Sequence, residues 1–243
     1  MPMLGSFLKN LADIIYPRVC LSCRKKLDAS SIDEIICRYC WEKIEKNKPP
    51  FCHCCGRNLK KPRVTKGICP ECLKRKLHFD RAFSPCLYAG TTKELIHQFK
   101  YNRKEHLGPT LSGFMIDFIK EYNLPMEYID LVVPIPLHSS RLREREFNQA
   151  QILSSNICKE FKKDLSSDIL LRSRRTKTQT ELSFDQRLSN IQGSFTTTKG
   201  INLKGKNILL IDDVITTGAT SSEAALSLKK AGCGIVFVLT LAN

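Results

Sequence analysis

Two adjacent carboxylates, Asp212 and Asp213, end an apolar run and stand directly before a loop of small residues, in the stretch ILLIDDVITTGAT at 208–220. The loop leads into a segment with the composition of a helix, and a helix N-terminus favours a phosphate through its exposed N–H groups and its dipole. The loop lacks the GxxxxGK[ST] pattern of a P-loop. Since two carboxylates would repel a bare phosphate, we predict a sugar phosphate whose ribose hydroxyls donate to the aspartates. An acidic pair that ends a strand without any ligand is the simpler alternative.

The cysteines are a second group of residues with chemistry, and there are twelve of them. Eight form four CxxC pairs: Cys20/Cys23, Cys37/Cys40, Cys52/Cys55 and Cys69/Cys72. A CxxC knuckle directs two thiolates at one tetrahedral metal ion, so four knuckles predict two Zn²⁺ sites. Pairing the knuckles in sequence order is the simplest arrangement, and spacing alone leaves an interleaved cross-brace open. Gly56 follows the third knuckle, where a residue tolerant of positive φ is favoured.

Both zinc sites are predicted to be structural, because four cysteine ligands leave no open position for a substrate. Such a module folds around its metal rather than around a core of its own. Cys54 and His53 lie within the third knuckle and could replace a ligand, although Cys55 keeps the CxxC spacing. The isolated cysteines are predicted to be small buried hydrophobic residues: Cys86, Cys158 and Cys233.

The formal net charge is +15, and the basic excess is concentrated in residues 1–80, which contain 17 basic and 8 acidic residues. Two four-thiolate zinc sites, at about −2 each, would reduce this excess without removing it. Basic residues near Tyr39, Trp41 and Phe51 suit single-stranded nucleic acid; the alternatives are a solvated basic surface and aromatic rings that pack a small core, the role favoured for Trp41. The chain has no 18-residue apolar run and no signal-peptide pattern, so we predict no membrane span and a cytoplasmic location.

The elements that must position these residues change in character after about residue 80. Helical spacing predicts three helices, at residues 91–101, 107–122 and 147–162. Short β-rich runs predict strands at residues 128–136 and 167–172.

The aspartate pair belongs to a predicted βαβ unit. The apolar runs 206–212 and 234–242 are typical of strands buried in a parallel sheet, and residues 219–231 predict the helix between them, closed by Gly232 and Gly234. The aspartates then stand at the carboxyl end of a buried strand, where open α/β sheets bind their ligands.

The stretch ILLIDDVITTGAT resembles the signature with which type I phosphoribosyltransferases bind phosphoribosyl pyrophosphate (PRPP), over all 13 residues. Other motifs occur in the order of the ComF family, also called competence protein F or ComFC: YPRVCLSC, the four CxxC pairs, IHQFKY, PIPLHSSRLREREFNQA and RTKTQTELSFDQRLSNIQGSF. The chain is identified as a member of this family over nearly its full length. The resemblance implies an α/β fold, with a parallel sheet of about five strands flanked by helices and preceded by a double zinc ribbon. The predicted parts are an N-terminal helix at 1–17, the double zinc ribbon at 18–80 and a phosphoribosyltransferase-like domain at 81–243.

The resemblance also implies roles for residues at the site. Asp212 and Asp213 would hold the ribose hydroxyls of PRPP. The 5′-phosphate would lie in the following loop: Thr216, Thr217, Gly218, Ala219 and Thr220. Arg145, with Asn148 and Gln149, matches the region that meets the pyrophosphate, while the neighbouring Arg141 and Arg143 could belong to a solvated face. Mg²⁺ would accompany PRPP.

Phosphoribosyltransferases also close a mobile loop over the site, and residues 172–187 suit this role because they are long, polar and basic. The segment is predicted to lie between two core strands. The implied catalytic candidates in it are Arg174, Arg175 and Lys177, together with Gln179. Arg187 could anchor the far side of the loop, and Lys100 is a further candidate for an anion contact.

Two functions fit these observations. The first is a phosphoribosyltransferase that displaces pyrophosphate from C1′ of PRPP; the sequence names no acceptor and carries no recognisable base-binding segment. The second is a non-catalytic accessory protein of DNA uptake in natural transformation, which binds single-stranded DNA, works with the DNA-uptake machinery and uses the pocket to sense PRPP or hold a DNA phosphate. A zinc-stabilised scaffold for partner proteins is a third interpretation.

Overall fold

The computed structural model describes residues 17–59, 66–174 and 190–243. The predicted N-terminal helix, apart from residue 17, and most of the predicted closing loop lie outside these residues. Within the described part of the chain, no helix combines the length and the apolar character needed to cross a membrane.

The chain contains seven described strands: β1 (Arg81–Phe83), β2 (Leu131–Pro134), β3 (Asp164–Leu165), β4 (Leu170–Arg172), β5 (Phe195–Thr197), β6 (Ile208–Val214) and β7 (Val236–Ala242). Five of them form one sheet in the order β1-β7-β6-β2-β3, and every pair in it is parallel. The predicted parallel sheet is therefore confirmed. Three of the strands, β1, β3 and β5, were not predicted from the sequence, since two or three residues are too few to carry a periodic pattern.

The described helices are α1 (Arg38–Glu42), α2 (Pro70–Leu73), α3 (Gly90–Tyr101), α4 (Gly108–Glu121), α5 (Ser139–Arg145), α6 (Gln149–Phe161) and α7 (Ala219–Lys230), with 3-10 turns at Glu105–Leu107 and Met126–Tyr128. Leu209 and Ile211 of β6 belong to the buried cluster that includes α3, α4 and α6. Ile208 and Leu210 belong to the cluster that includes α7, β4 and β5. Because successive side chains of a strand point to opposite faces, both faces of the sheet are covered, and this explains the continuous apolar run in β6.

The predicted βαβ unit is confirmed. β6 and β7 are parallel neighbours with Leu209 opposite Phe237, and α7 connects them. α7 turns small residues, such as Ala224 and Ala225, into the buried cluster, which lets the helix lie close to the sheet. Gly232 follows α7 with φ of +90°, as expected for a glycine that ends a helix.

The prediction that residues 172–187 lie between two core strands is wrong. β4 pairs with β5 in a separate antiparallel two-stranded sheet, with Leu170 opposite Thr197. Leu170 is buried whereas Leu171 is 48% exposed, so β4 is covered on one face only, as antiparallel strands commonly are. The segment 173–194 therefore joins the two strands of this small sheet.

The cysteine-rich region packs onto the sheet domain through two ribbons. We call residues 17–46 the first ribbon and residues 50–59 with 66–76 the second ribbon. In the first ribbon, the ring centroid of Trp41 lies 4.8 Å from that of Phe114 in α4, so Trp41 has the packing role favoured from the sequence. In the second ribbon, Gly56 has φ of +70°, and a Cβ there would lie 2.3 Å from the carbonyl oxygen of Ala82 in β1. The expected glycine conformation is confirmed, and the close approach leaves no room for a side chain.

Candidate functional site

The aspartate pair lies at the carboxyl end of β6, in the middle of the parallel sheet. Strand geometry sends the two side chains to opposite faces of the sheet. Asp213 is 7% exposed and points to the face that carries α3, whereas Asp212 is half-buried. The backbone N–H of Asp213 donates to Oδ1 of Asp212 at 2.8 Å.

Lys100, near the end of α3, forms an ion pair with Asp213, with 2.8 Å between Nζ and Oδ1. Burial lowers the pKa of Lys100, but the carboxylates of Asp213 and Asp212 outweigh it and raise that pKa above its ordinary value. The lysine is therefore charged at neutral pH and neutralises one of the two aspartates. Lys100 was expected to contact an anion, and its partner within the chain is this carboxylate.

Among the described residues, Asp212 forms no ion pair of this kind, and its pKa is raised to about 7. Burial is the main cause and the charge of Asp213 the second, opposed by Lys100, by the N–H of Asp213 and by Arg172. A carboxyl group that titrates near neutrality gains most from a ligand that donates hydrogen bonds to its charged form. Ribose hydroxyls are donors of this kind.

The loop after β6 turns into α7 at Gly218, which has φ of +78° and makes no side-chain cap. Thr217 supplies a partial substitute, because its Oγ1 accepts a hydrogen bond from the N–H of Ala219 at 3.3 Å. The first turn of α7 carries no acidic residue. This helix start accordingly combines a favourable dipole with a hydroxyl-rich loop, as an anion site requires.

Arg145 is the last residue of α5 and is only 7% exposed. Its Nη1 donates to Oε1 of Gln149 at 3.2 Å, and its Nη2 donates to the hydroxyl of Tyr101 at 3.4 Å. Its Nε is buried without a hydrogen-bond partner among the described residues. Asn148 accepts the N–H of Ala150 and thereby starts α6. Arg145 and Gln149 of the predicted trio are thus buried and bonded to each other, which holds the guanidinium in place, whereas Asn148 is half-buried and donates to the carbonyl oxygen of Ile135 at 3.1 Å.

Arg172, the last residue of β4, is a site residue that the sequence analysis did not single out. Its pKa is lowered to about 10, mainly by burial and further by the charges of Arg141 and Arg145, against the opposing charge of Asp212. Its guanidinium carbon lies 5.3 Å from the ring centroid of Phe195. Only its position at the end of a short strand, just before the basic segment, could have drawn attention to it.

Arg174 lies at the base of the predicted closing loop, where its Nη2 donates to the carbonyl oxygen of Asn190 at 3.0 Å. This contact ties together the two described ends of the segment. Three further residues of the loop prediction and its proposed anchor lie outside the described residues: Arg175, Lys177, Gln179 and Arg187. The roles assigned to this loop stay predictions.

The eight paired cysteines form two clusters in sequence order: Cys20, Cys23, Cys37 and Cys40, then Cys52, Cys55, Cys69 and Cys72, with the sulfur atoms of each cluster within 4.8 Å of one another. The Cys23 and Cys37 sulfurs are 3.7 Å apart, and those of Cys55 and Cys69 are 3.8 Å apart. Four sulfurs at about 2.3 Å from a tetrahedral zinc are separated by roughly 3.8 Å. The clusters therefore fit zinc and support zinc binding, with the knuckles paired as in the simplest arrangement.

Cys54 and His53, the two residues inside the third knuckle, do not belong to these clusters. The described metal-ligand group contains Cys55 and not Cys54. The ring of His53 packs against Gly67, where an added Cβ would lie 2.4 Å from its Cε1. The isolated cysteines are buried as predicted: Cys86, Cys158 and Cys233.

Of the three aromatic residues considered for nucleic-acid stacking, Tyr39 is exposed, at 61%. The ammonium of Lys43 lies 4.2 Å from its ring centroid. Phe51 instead packs on Phe118 and Tyr122, with centroids 5.7 and 5.2 Å away. The first ribbon therefore offers one aromatic surface with a cation beside it.

Comparison with known proteins identifies relatives that cover most of the chain. Residues 11–73 match the family described as a double zinc ribbon domain. Competence protein ComFC of Bacillus subtilis (strain 168) is 31% identical over 207 residues, which cover 82% of this chain and 80% of the relative. Competence protein F of Haemophilus influenzae is 27% identical and covers 92% of this chain and 96% of the relative. The DNA utilization protein YhgH of Escherichia coli (strain K12) is 27% identical, with 93% and 96% covered.

Solved structures of phosphoribosyl-transferring enzymes overlap with part of the chain. The glutamine PRPP amidotransferase from B. subtilis, complexed with ADP and GMP, is 18% identical, with a TM-score of 0.35 over 57% of this chain and 26% of that chain. The adenine phosphoribosyltransferase from Leishmania donovani is 16% identical, with a TM-score of 0.34 over 65% of this chain and 58% of that chain. At these TM-scores the likeness is partial and describes no shared site.

Proposed function

The chain belongs to the competence protein F/ComFC family, and from that premise we propose that it binds PRPP and acts in the handling of DNA during uptake. One observation carries the proposal: Asp212 and Asp213 end a central parallel strand, and the chain runs from them through residues 215–218 straight into the N-terminus of α7. This edge of an open sheet is where α/β proteins place their ligands. The names of the relatives, competence protein and DNA utilization protein, support the DNA-related part.

The proposed position of PRPP follows from the charges of the site. Its 5′-phosphate would accept N–H groups from the loop and the start of α7, and its ribose hydroxyls would donate to the aspartates. Lys100 already neutralises Asp213, which reduces the repulsion that two carboxylates would exert on a ligand with three phosphate groups. The pyrophosphate would meet the buried guanidinium of Arg145, whose Nε needs an acceptor.

The reaction class that fits this arrangement is displacement of pyrophosphate at C1′ of PRPP. The C1′–O bond breaks with its electron pair leaving on pyrophosphate, and the acceptor forms the new bond to C1′. Arg145 and Arg172 are the cations of the described chain that would stabilise the charge developing on the leaving group. Mg²⁺ bound to PRPP would supply further charge neutralisation, and the two aspartate carboxylates are the hard oxygen ligands such an ion prefers. The acceptor is left open.

Calorimetric titration with PRPP and Mg²⁺ tests the proposal, beside an Asp212→Asn/Asp213→Asn double variant. We expect binding by the native chain and its loss in the double variant. The matched control is Asp130→Asn, an aspartate on the opposite end of the sheet that bonds to Asn207. Absence of binding by folded, zinc-loaded native chain would refute PRPP as the ligand. If PRPP binds, an assay for pyrophosphate release on adding candidate acceptors would distinguish catalysis from sensing.

A second candidate function is non-catalytic binding of single-stranded DNA, with the pocket sensing PRPP or holding a DNA phosphate. The exposed Tyr39 with Lys43 beside its ring favours it, because bases stack on such rings. Affinity for an oligonucleotide should fall steeply with salt. Replacing Lys60, Lys61 and Arg63, which lie outside the described residues, should reduce that slope, whereas an unchanged slope would place the contact elsewhere. A cytoplasmic location and contacts with uptake proteins remain part of this proposal.

A further inference from the structure

The second ribbon reaches the loop that precedes α7. Nη2 of Arg57 lies 3.4 Å from the carbonyl oxygen of Thr216, and Nη1 of Arg75 lies 3.4 Å from the carbonyl oxygen of Thr217. Arg57 comes two residues after Cys55, and Arg75 comes three residues after Cys72. Each knuckle of the second cysteine cluster thus places one guanidinium against one carbonyl of the loop.

The chain that leaves the second cluster makes a further contact with the same region. Leu77 and Phe79 pack against Gly218, where an added Cβ would lie 3.5 Å from Cδ2 of Leu77 and from the Phe79 ring. The N–H of His78 donates to Oγ of Ser222 at 3.0 Å, and Nδ1 of its ring is 3.0 Å from the same oxygen. Residues 77–79 therefore lie along the first turn of α7.

The planarity of the peptide bond fixes the direction in which the N–H groups of the loop point. A trans peptide is planar, and its C=O and N–H point to opposite sides. When the carbonyls of Thr216 and Thr217 face the second ribbon, the N–H groups of Thr217 and Gly218 point away from it. The cavity between ribbon and loop is only about 10 Å³, which is space for one water at most. A phosphate bound by this loop would therefore lie on its far side, where the N–H groups point.

We infer that the second ribbon is the positioning device of the phosphate loop: Arg57 and Arg75 hold two carbonyls in place, so that the amides behind them are set for the phosphate of a ribose 5-phosphate moiety. The inference rests on the proposed function for the identity of the ligand. The arginines are positioning residues, since they do not face the ligand. The cysteines of the second cluster fix both of them, so the integrity of that cluster controls the loop.

The first ribbon has different contacts and supplies the control. Its Asp33 accepts a hydrogen bond from Thr110 of α4 at 3.0 Å, and its Arg24 lies 4.0 Å from Glu94 of α3. Arg38 bonds to Glu42 within α1. Arg38→Gln therefore removes the charge of one arginine from the first ribbon and leaves the second ribbon unchanged.

The first test needs no ligand. Hydrogen exchange of the full-length, zinc-loaded chain is compared between native protein, Arg57→Gln/Arg75→Gln and Arg38→Gln. We expect the amides of residues 219–224, whose hydrogen bonds depend on the loop and the first turns of α7, to exchange roughly fivefold faster in the double variant, and at the native rate in Arg38→Gln. Native exchange in the double variant, or equal acceleration in Arg38→Gln, would overturn the inference. A metal assay showing unchanged zinc content excludes loss of the ribbon itself.

The second test uses two probes in calorimetry: ribose 5-phosphate, and pyrophosphate with Mg²⁺. The double variant should bind ribose 5-phosphate about tenfold more weakly, with pyrophosphate affinity unchanged within about twofold, since only one end of the site has been loosened. Arg57→Lys/Arg75→Lys should recover part of the loss. If native protein binds neither ribose 5-phosphate nor PRPP, the proposed function fails, while the exchange comparison still decides whether the ribbon positions the loop.

Discussion

The ammonium of Lys100 lies 2.8 Å from Oδ1 of Asp213, and the two side chains are 17% and 10% exposed. One of the two adjacent aspartates of β6 is thus neutralised inside the chain, by a residue of α3 that lies 113 positions earlier. Asp212, the other aspartate, has a pKa that is raised to about 7. The pair is therefore asymmetric: Asp213 is held charged by its partner, whereas Asp212 titrates near neutrality.

Replacing Lys100 by Met should destabilise the fold, because it leaves the carboxylate of Asp213 buried without its partner. We expect a loss of about 2–4 kcal/mol in the free energy of unfolding, measured by urea denaturation at pH 7.5. Lys120→Met is the control, since Lys120 pairs with Glu160 on the surface at 55% and 41% exposure. The control should change stability by less than about 1 kcal/mol. Equal effects of the two changes would contradict the burial argument.

Asp212→Asn should stabilise the folded chain at neutral pH while weakening PRPP binding. The raised pKa means that the folded state holds its proton more tightly than the unfolded state, so Asp212 costs stability progressively as pH rises from about 4 to about 7. The gain of the variant should therefore grow over this range and level off above it, at on the order of 1–3 kcal/mol. Urea denaturation at pH 4.5, 6 and 8 measures it.

Asp130→Asn is the control, because it should change the stability of the fold in the opposite direction. The N–H of Asn207 lowers the pKa of Asp130, with smaller help from Lys206. Its carboxylate therefore contributes stability above its unfolded pKa, and the variant should be less stable than native protein at pH 8. A destabilising Asp212→Asn change would show that the Asp212 carboxylate is held by favourable contacts.

PRPP affinity should rise with pH through about 7. Ribose hydroxyls donate to the charged form of Asp212, so binding requires its proton to leave. Calorimetry at pH 6.5 in two buffers of different ionisation enthalpy should detect a released proton. The contribution of the ligand's own phosphates is the same for every variant, so Asp212→Asn, measured at PRPP concentrations that saturate it, should show a smaller release. Equal release by this variant would assign the proton to another group.

Gly218→Ala should weaken ribose 5-phosphate binding and lower stability by about 1 kcal/mol, because φ of +78° is strained for a residue with a Cβ. Space is not the cause, since the nearest atoms would lie at an ordinary 3.5 Å. Gly113→Ala within α4 is the control: a Cβ there meets nothing within 4 Å, so the change should stabilise the helix. Thermal unfolding and calorimetry measure both variants.

The two cysteine clusters should differ in their effect on the sugar-phosphate site. Cys69→Ser and Cys37→Ser should each lower the zinc content from two ions to one. Only Cys69→Ser should weaken ribose 5-phosphate binding, because only the second cluster positions Arg57 and Arg75. Equal weakening by both changes would indicate a general loss of folding, which circular dichroism would detect.

Local patterns in the sequence were sufficient for much of this molecule. The CxxC spacing predicts the two cysteine clusters, because a knuckle is a local structure that brings its own two sulfurs together. The apolar runs around Asp212 predict a buried parallel strand, and the small residues after it predict the turn at Gly218 into α7. In each case the residues that decide the structure lie within a few positions of one another.

The pairing of the strands was harder to predict from the sequence. The run containing Leu170 predicts a strand but not its neighbour, and the structure pairs it with Phe195–Thr197 outside the main sheet. A three-residue strand has no periodicity that distinguishes a core position from an edge hairpin. Its location depends on which surface is left uncovered once α7 has packed.

The sequence by itself determined the zinc knuckles, the βαβ unit and the order aspartate, aspartate, loop, helix, since these follow from spacing over short distances. Only the tertiary structure decided that Lys100 neutralises Asp213, that Arg172 approaches Asp212 and that Arg57 and Arg75 hold the carbonyls of the loop. Arg57 lies 159 positions before Thr216, and Arg75 lies 142 positions before Thr217. Contacts at that separation depend on how whole elements pack against one another, and the chemistry of one residue type carries no record of the partner that packing will bring to it.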